Sequence, residues 1–89
     1  ISVVAEHFHF SPNDILSSKR DKAIAIPRQI AMYLSSEYTN STTSKIGEIF
    51  GRDHSTVIHN VGKIADNRTK DIQLDETIKV LINKINPDI

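Results

Sequence analysis

Apolar side chains recur along the 89 residues at spacings of three and four, and nowhere alternate with polar ones for more than a few positions. This period predicts helices and no sheet. Ser2 to His9 places Val3, Val4, His7 and Phe8 on one side of a short helix. Ser11-Pro12 reads as a cap with proline in the first turn of a second short helix carrying Ile15 and Leu16, and polar, basic Ser17 to Lys22 reads as a loop. Because proline is tolerated in a first turn and not in a helix interior, Pro27 predicts that a long helix starts near Ile24 or Ala25 and runs to about Tyr38. On it Ile30, Leu34 and Tyr38 form a core-facing stripe with Ala31 beside it.

Thr39 to Thr43 is a turn-and-cap cluster in which Thr42 is the best N-cap for a helix carrying Ile46, Ile49 and Phe50. Gly51 ends that helix. From Asp53 onward Val57, Val61 and Ile64 form a buried stripe, which leaves Asp53, His54, Ser55, Thr56, His59 and Lys63 largely on other faces. Asn67 to Lys70 breaks the pattern, and a last helix is expected from about Leu74 to Lys84, carrying Leu74, Ile78, Leu81, Ile82 and Ile85, with Pro87 as its stop. The fold class is therefore all-α, about six helices in one domain covering residues 1–89. Two helices meeting at Gly51, the second with a polar leading end, have the plan of a helix-turn-helix, whose second helix enters the major groove of DNA.

A chain of this length holds one core at most. With 38% hydrophobic and 25% charged residues it has an ordinary globular composition, and no apolar run approaches the roughly 18 residues of a membrane span. The opening at Ile1, without a basic segment or apolar stretch, is read as part of a longer cytosolic protein rather than a signal peptide. The absence of cysteine removes disulfides and thiolate metal sites, and fits a reducing compartment. The formal net charge is zero, but residues 17–70 hold nine basic side chains against five acidic ones, a net +4, and the flanks carry −4. A basic middle with acidic ends suits a domain with one DNA-facing side; a solvated mixed surface has the same counts.

Four polar residues open the second helix of the pair. Asp53 can cap it, and a carboxylate there can also accept from cytosine N4. His54 and Ser55 add short donors and acceptors, while Thr56 offers a methyl to thymine or a hydroxyl to phosphate. Arg52, Lys45, Lys63 and the helix start near Thr43 are candidate phosphate contacts, each also readable as ordinary surface. The loop with Lys19, Arg20 and Lys22 can lay an arginine into a narrow A·T-rich minor groove. Catalytic and metal readings are weaker. His54 and His59 are five apart and diverge on a helix, His7 and His9 are two apart, and no phosphate-binding glycine loop, G-x-S-x-G or paired carboxylates occur. The expectation is a non-enzymatic domain with no cofactor and no metal.

Ile46-Gly47-Glu48-Ile49-Phe50-Gly51-Arg52-Asp53-His54-Ser55-Thr56-Val57-Ile58-His59 closely resembles the signature of the C-terminal DNA-binding domain, domain IV, of the bacterial DnaA replication-initiator family. Lys19-Arg20 and Pro27-Arg28-Gln29-Ile30-Ala31-Met32-Tyr33-Leu34 look like its basic loop and following helix. The resemblance implies a Trp-repressor-like helix-turn-helix bundle that binds double-stranded DnaA boxes resembling TTATNCACA at the replication origin as a monomer, in the cytoplasm at the nucleoid. It implies Arg20 in the minor groove, Asp53, His54 and Ser55 on base edges, Ile58 on a thymine methyl, and Arg28, Gln29, Lys45 and Thr56 on the backbone. It also implies an upstream AAA+ ATP-binding module, none of whose motifs lies in these residues; regulatory protein partners are left unassigned. Many relatives have two glycines before the arginine where this chain has Gly51 alone, so the turn is expected to be one residue shorter. Asp21 and Ile26 stand where relatives often carry small polar and basic residues, which implies fewer phosphate contacts. A transcription regulator using the same motif, and a helical protein-interaction domain in which Asp53 to Thr56 is only an elaborate cap, are the alternatives. Box preference over scrambled DNA separates the last of these from the others.

Overall fold

The computed structural model describes residues 1–18 and 21–85. Six helices follow one another: α1 (Ser2–His7), α2 (Pro12–Leu16), α3 (Lys22–Tyr38), α4 (Thr43–Phe50), α5 (His54–Asn67) and α6 (Ile72–Ile85). No strand occurs among the described residues. Most starts are set by a side chain that takes one of the amides a helix leaves without an internal partner. Ser11 and Asp14 form a reciprocal capping box on α2, the Thr42 hydroxyl accepts from the Lys45 amide at 3.1 Å, and an Asp53 carboxylate oxygen accepts from the Thr56 amide at 2.8 Å.

Two starts come earlier than hydrophobic spacing predicts, and in both a carboxylate explains the difference. Asp21 accepts from the Ala23 amide at 3.0 Å, so α3 opens at Lys22 rather than at Ile24 or Ala25. Pro27 then lies inside the helix instead of in its first turn, where its ring nitrogen cannot donate to the Ala23 carbonyl. Asp71 accepts from the Gln73 and Leu74 amides, both at 3.1 Å, and starts α6 at Ile72 instead of Leu74. Pro87, the expected stop, lies outside the described residues.

α3 is the spine of the domain. It packs along α5 and also meets α1, α2 and α4, while α6 closes against α1. The core gathers Val4, Ile15, Ile30, Met32, Ile46, Phe50, Val57, Ile64, Ile78 and Leu81, all fully buried. Each such aliphatic or aromatic side chain contributes about 1.5–3 kcal/mol relative to exposure. Tyr38, expected in the core-facing stripe of α3, is instead 39% exposed, and Ile49 and Ile85 are exposed as well, at 43% and 40%. Tyr38 and Ile85 lie at the ends of their helices and line an open cleft with Ile1, and Ile49 sits on α4 where no helix covers it. The α5–α6 junction is fastened by Arg68, whose Nε donates to Asp75 Oδ1 at 2.7 Å and whose Nη1 donates to the Tyr33 hydroxyl at 2.9 Å. That guanidinium also lies 5.8 Å from the Tyr33 ring centroid, which ties the junction to α3.

Candidate nucleic-acid interface

α4 ends in a Schellman motif. Gly51 adopts the left-handed conformation at φ 65°, its amide donates to the Glu48 carbonyl at 3.3 Å, and the Arg52 amide donates to the Gly47 carbonyl at 2.9 Å. The turn is thus Gly51-Arg52-Asp53, closed at one side by the glycine and at the other by the Asp53 cap. A single glycine suffices here. The hydrogen bonds from the Thr56 amide and hydroxyl, and a smaller contribution from the charge of His54, hold the Asp53 carboxyl below the usual aspartate range. It is therefore an anion at neutral pH, and its oxygens lie at the leading tip of α5.

The sequence pattern did not single out Gly47, which the turn also requires. A Cβ there would stand 2.5 Å from the Arg52 carbonyl oxygen, too close for any side chain without displacement of the turn. An isolated glycine within a helical pattern, four residues before a glycine that ends it, was the available signal.

Val57 and Ile64 turn α5 toward the core, with Val61 partly buried between them. The opposite face presents His54, Ser55, Ile58, His59, Gly62 and Lys63 to solvent. Ile58 is 57% exposed, a β-branched hydrocarbon surrounded by polar neighbours on a helix whose apolar stripe is complete without it. Thr56, half-buried, lies at the border of this face. On α4, Thr43 follows the cap, and exposed Lys45 makes only a loose 3.7 Å pair with exposed Glu48, a surface contact that contributes little. Lys22 is exposed at the first position of α3.

Other expected contacts have internal partners. Arg28, 7% exposed, donates through Nε to the Ile15 carbonyl at 2.8 Å and through Nη2 to the Asp14 carbonyl at 3.3 Å. Arg52, half-buried, donates through Nη1 to the Phe50 carbonyl at 2.6 Å and through Nη2 to the Ser17 carbonyl at 3.2 Å. Arg28 thus serves two carbonyls of α2, and Arg52 one carbonyl just past α2 and one at the end of α4. Desolvation, and next the charge of Arg52, lower the Arg28 pKa from its ordinary value. Gln29 is partly buried and its Oε1 is buried without a hydrogen-bond partner. Lys19 and Arg20 lie outside the described residues, but Ser17 and Ser18 lead directly into them. The Arg52 contact therefore brings the root of the basic loop against the helix-turn-helix turn, 35 positions away in sequence.

Residues 1–64 match the sequence model of the family described as bacterial dnaA protein helix-turn-helix. The chain belongs to this family. It is 49% identical over 88 residues to the chromosomal replication initiator protein DnaA of Lachnoclostridium phytofermentans, an alignment covering 98% of this chain and 19% of that protein. Against proteins of the same name the identity is 52% over 79 residues for Burkholderia multivorans and 53% over 78 residues for Ralstonia pickettii, covering 88% and 86% of this chain and 15% of each relative. The chain spans less than a fifth of the length of these DnaA relatives. The match covers α1 to α4 and most of α5, including the whole turn and the polar tip. No helix among the described residues is long and apolar enough to cross a membrane.

Proposed function

We propose that this domain binds double-stranded DNA in a sequence-specific manner at TTATNCACA-like boxes of a replication origin, as the DNA-reading part of a DnaA-type initiator in the bacterial cytoplasm. The observation that carries the reading is the exposed face of α5, where Ile58 stands in solvent beside His54 and Ser55. A hydrocarbon there has no core to fill, and a thymine methyl in the major groove is its natural contact. His54, Ser55 and the Asp53 carboxylate supply the polar part of base readout, with the carboxylate able to accept from cytosine N4.

Thr43, Lys45, Thr56 and Lys63, with Lys22 and Gln29 on α3, hold the phosphates on either side, and Arg20 enters the minor groove beside the recognition helix. Family membership supports this assignment, and the names of the relatives support replication initiation as its setting. The domain acts by binding as a single copy and needs no cofactor of its own. ATP binding belongs to the upstream AAA+ module of the longer protein.

The test is a salt titration of binding to a duplex containing the box and to one with the same bases scrambled. The expected result is preference for the box at physiological salt, with the scrambled duplex lost more rapidly as salt rises. Equal binding to both duplexes, or to neither, would overturn the reading.

A further inference from the structure

The rear of the recognition helix is held by a side-chain network far from the tip that faces DNA. Burial of Val57 and Ile64 decides which face of α5 turns inward, but hydrophobic burial is non-directional and tolerates small rotations of one helix on another. Hydrogen bonds are directional. At the C-terminal end of α5 the Arg68 guanidinium donates through Nη1 to the Tyr33 hydroxyl of α3 at 2.9 Å and through Nε to Asp75 Oδ1 of α6 at 2.7 Å. The second oxygen of Asp75 pairs with Lys79 at 3.1 Å, which holds that carboxylate in place. The Arg68 and Asp75 side chains are 18% and 23% exposed and Tyr33 is buried, so little water competes for these bonds. The planar guanidinium sends its donors in fixed directions and thus joins three helices in one geometry. Arg68 and Asp75 lie beyond residues 1–64, the stretch that matches the family's sequence model.

We infer that Arg68 is a positioning residue: by bonding Tyr33 and Asp75 at the rear of α5 it fixes the rotation of the recognition helix on α3, and so the placement of His54, Ser55 and Ile58 against the bases. This rests on the DNA-binding reading above. α5 has 14 residues, which puts Arg68 about 20 Å behind His54 at roughly 1.5 Å per residue. Side chains reach about 5–6 Å from a helix axis, so a rotation of about 20° moves their ends by about 2 Å. Hydrogen bonds to base edges do not survive such a shift, because their heavy-atom distances span only about 2.7–3.2 Å.

Tyr33→Phe is the sharpest test, since it removes one hydroxyl and keeps the ring, the charge of Arg68 and the Asp75 pair. Arg68→Gln removes the guanidinium altogether. With every variant shown to be folded by urea titration, Tyr33→Phe should lower box affinity about threefold and Arg68→Gln about tenfold, the loss of up to one base contact. Binding to the scrambled duplex and the salt slope should stay at wild-type values, because the charge of Arg68 lies more than a Debye length of about 10 Å from the tip. Tyr33→Phe should add nothing to Arg68→Gln, since the hydroxyl acts only through the guanidinium. In the free domain the amides of Lys70 and Asp71 donate to the Asn67 carbonyl at 3.0 and 2.9 Å, and their hydrogen exchange should accelerate about tenfold in Arg68→Gln. The Thr56 and Val57 amides, which donate to Asp53 at 2.8 and 3.3 Å, should keep their protection.

Wild-type box affinity in both folded variants would overturn the proposal and leave Arg68 a contribution to stability alone. Equal losses on the box and scrambled duplexes, with a salt slope lower by about one in Arg68→Gln, would overturn it in favour of a phosphate contact. Unchanged exchange at Lys70 and Asp71 would also overturn it. If Arg68→Gln does not fold, the box affinity of Tyr33→Phe decides. A wild-type domain with no box preference would instead sink the DNA reading, and the exchange comparison would still decide whether Arg68 fixes the rear of α5.

Discussion

The carbonyl oxygen of Arg52 lies 2.5 Å from the point where a Cβ on Gly47 would stand, and the Arg52 amide donates to the Gly47 carbonyl at 2.9 Å. The turn that aims α5 is folded directly onto the backbone of α4. Both sides of that contact are main chain, so a methyl group cannot be accommodated by rotating a side chain. Gly47→Ala is therefore expected to destabilise the domain by about 1–3 kcal/mol, the range for overpacking a filled site. Gly62 is the internal control: nothing lies within 4 Å of its Cβ position, and Gly62→Ala in the middle of α5 should stabilise by about 0.5–1 kcal/mol. Urea unfolding midpoints of the two variants should move in opposite directions.

A second backbone position is strained without such a contact. His9 holds φ 63° at the end of α1, with its amide donating to the Glu6 carbonyl at 3.2 Å and the Phe10 amide to the Ala5 carbonyl at 2.8 Å. This is the place a glycine usually occupies. Removal of the side chain relieves the left-handed penalty, so His9→Gly should raise stability by about 1 kcal/mol, read from thermal unfolding.

Acid sensitivity follows from two carboxylates. The Asp53 pKa is depressed chiefly by the Thr56 hydrogen bonds, and the Asp75 pKa by hydrogen bonds from Arg68 and then Lys79. In each case the folded state favours the ionised form, so its contribution is complete above the ordinary value of 3.8 and is lost as pH falls through the depressed one. Asp53→Asn keeps a good cap and should leave neutral-pH stability near wild type while flattening the decline below about pH 4. Asp75→Asn should also lose stability at neutral pH, because Arg68 loses its charged partner. Melting temperatures between pH 2 and pH 7 distinguish the two.

Base readout is separable from phosphate contact. His54→Ala or Ser55→Ala should cost about 1–3 kcal/mol of box binding and relax selectivity at the contacted pairs, whereas Lys45→Ala should weaken every duplex and lower the salt slope by about one. If His54→Ala left box preference intact, His54 would not be a base reader.

For Ile58 the methyl group itself can be removed from the DNA. The wild type should lose about 0.8 kcal/mol when the contacted thymine is replaced by uracil, and Ile58→Ala should bind both duplexes alike. A wild type indifferent to uracil at every thymine of the box would remove the methyl contact.

Much of the domain was legible because it is local. Thr42, Gly51 and Asp53 bound their helices through hydrogen bonds to residues three or four positions away, and Val57 and Ile64 are buried at their expected spacing. The starts of α3 and α6 were misplaced because apolar spacing was weighed without the aspartates that precede it. Tyr38 was assigned inward because periodicity names a face but not whether another helix covers it. The polar tip of the candidate site was visible in advance, but the inward commitment of Arg28 and Arg52 was not. A charge in a sequence carries no sign of the carbonyls it will meet.

By itself the sequence determined the all-α class, the helix-turn-helix and the residues that open its second helix, because caps, glycine turns and amphipathic stripes act over a few residues. Only the tertiary structure decided that Gly47 must be bare, that Ile58 stands in solvent, and that Ser17 and Arg52 meet across 35 positions. Those outcomes depend on which helix lies against which, and packing between distant segments sets them.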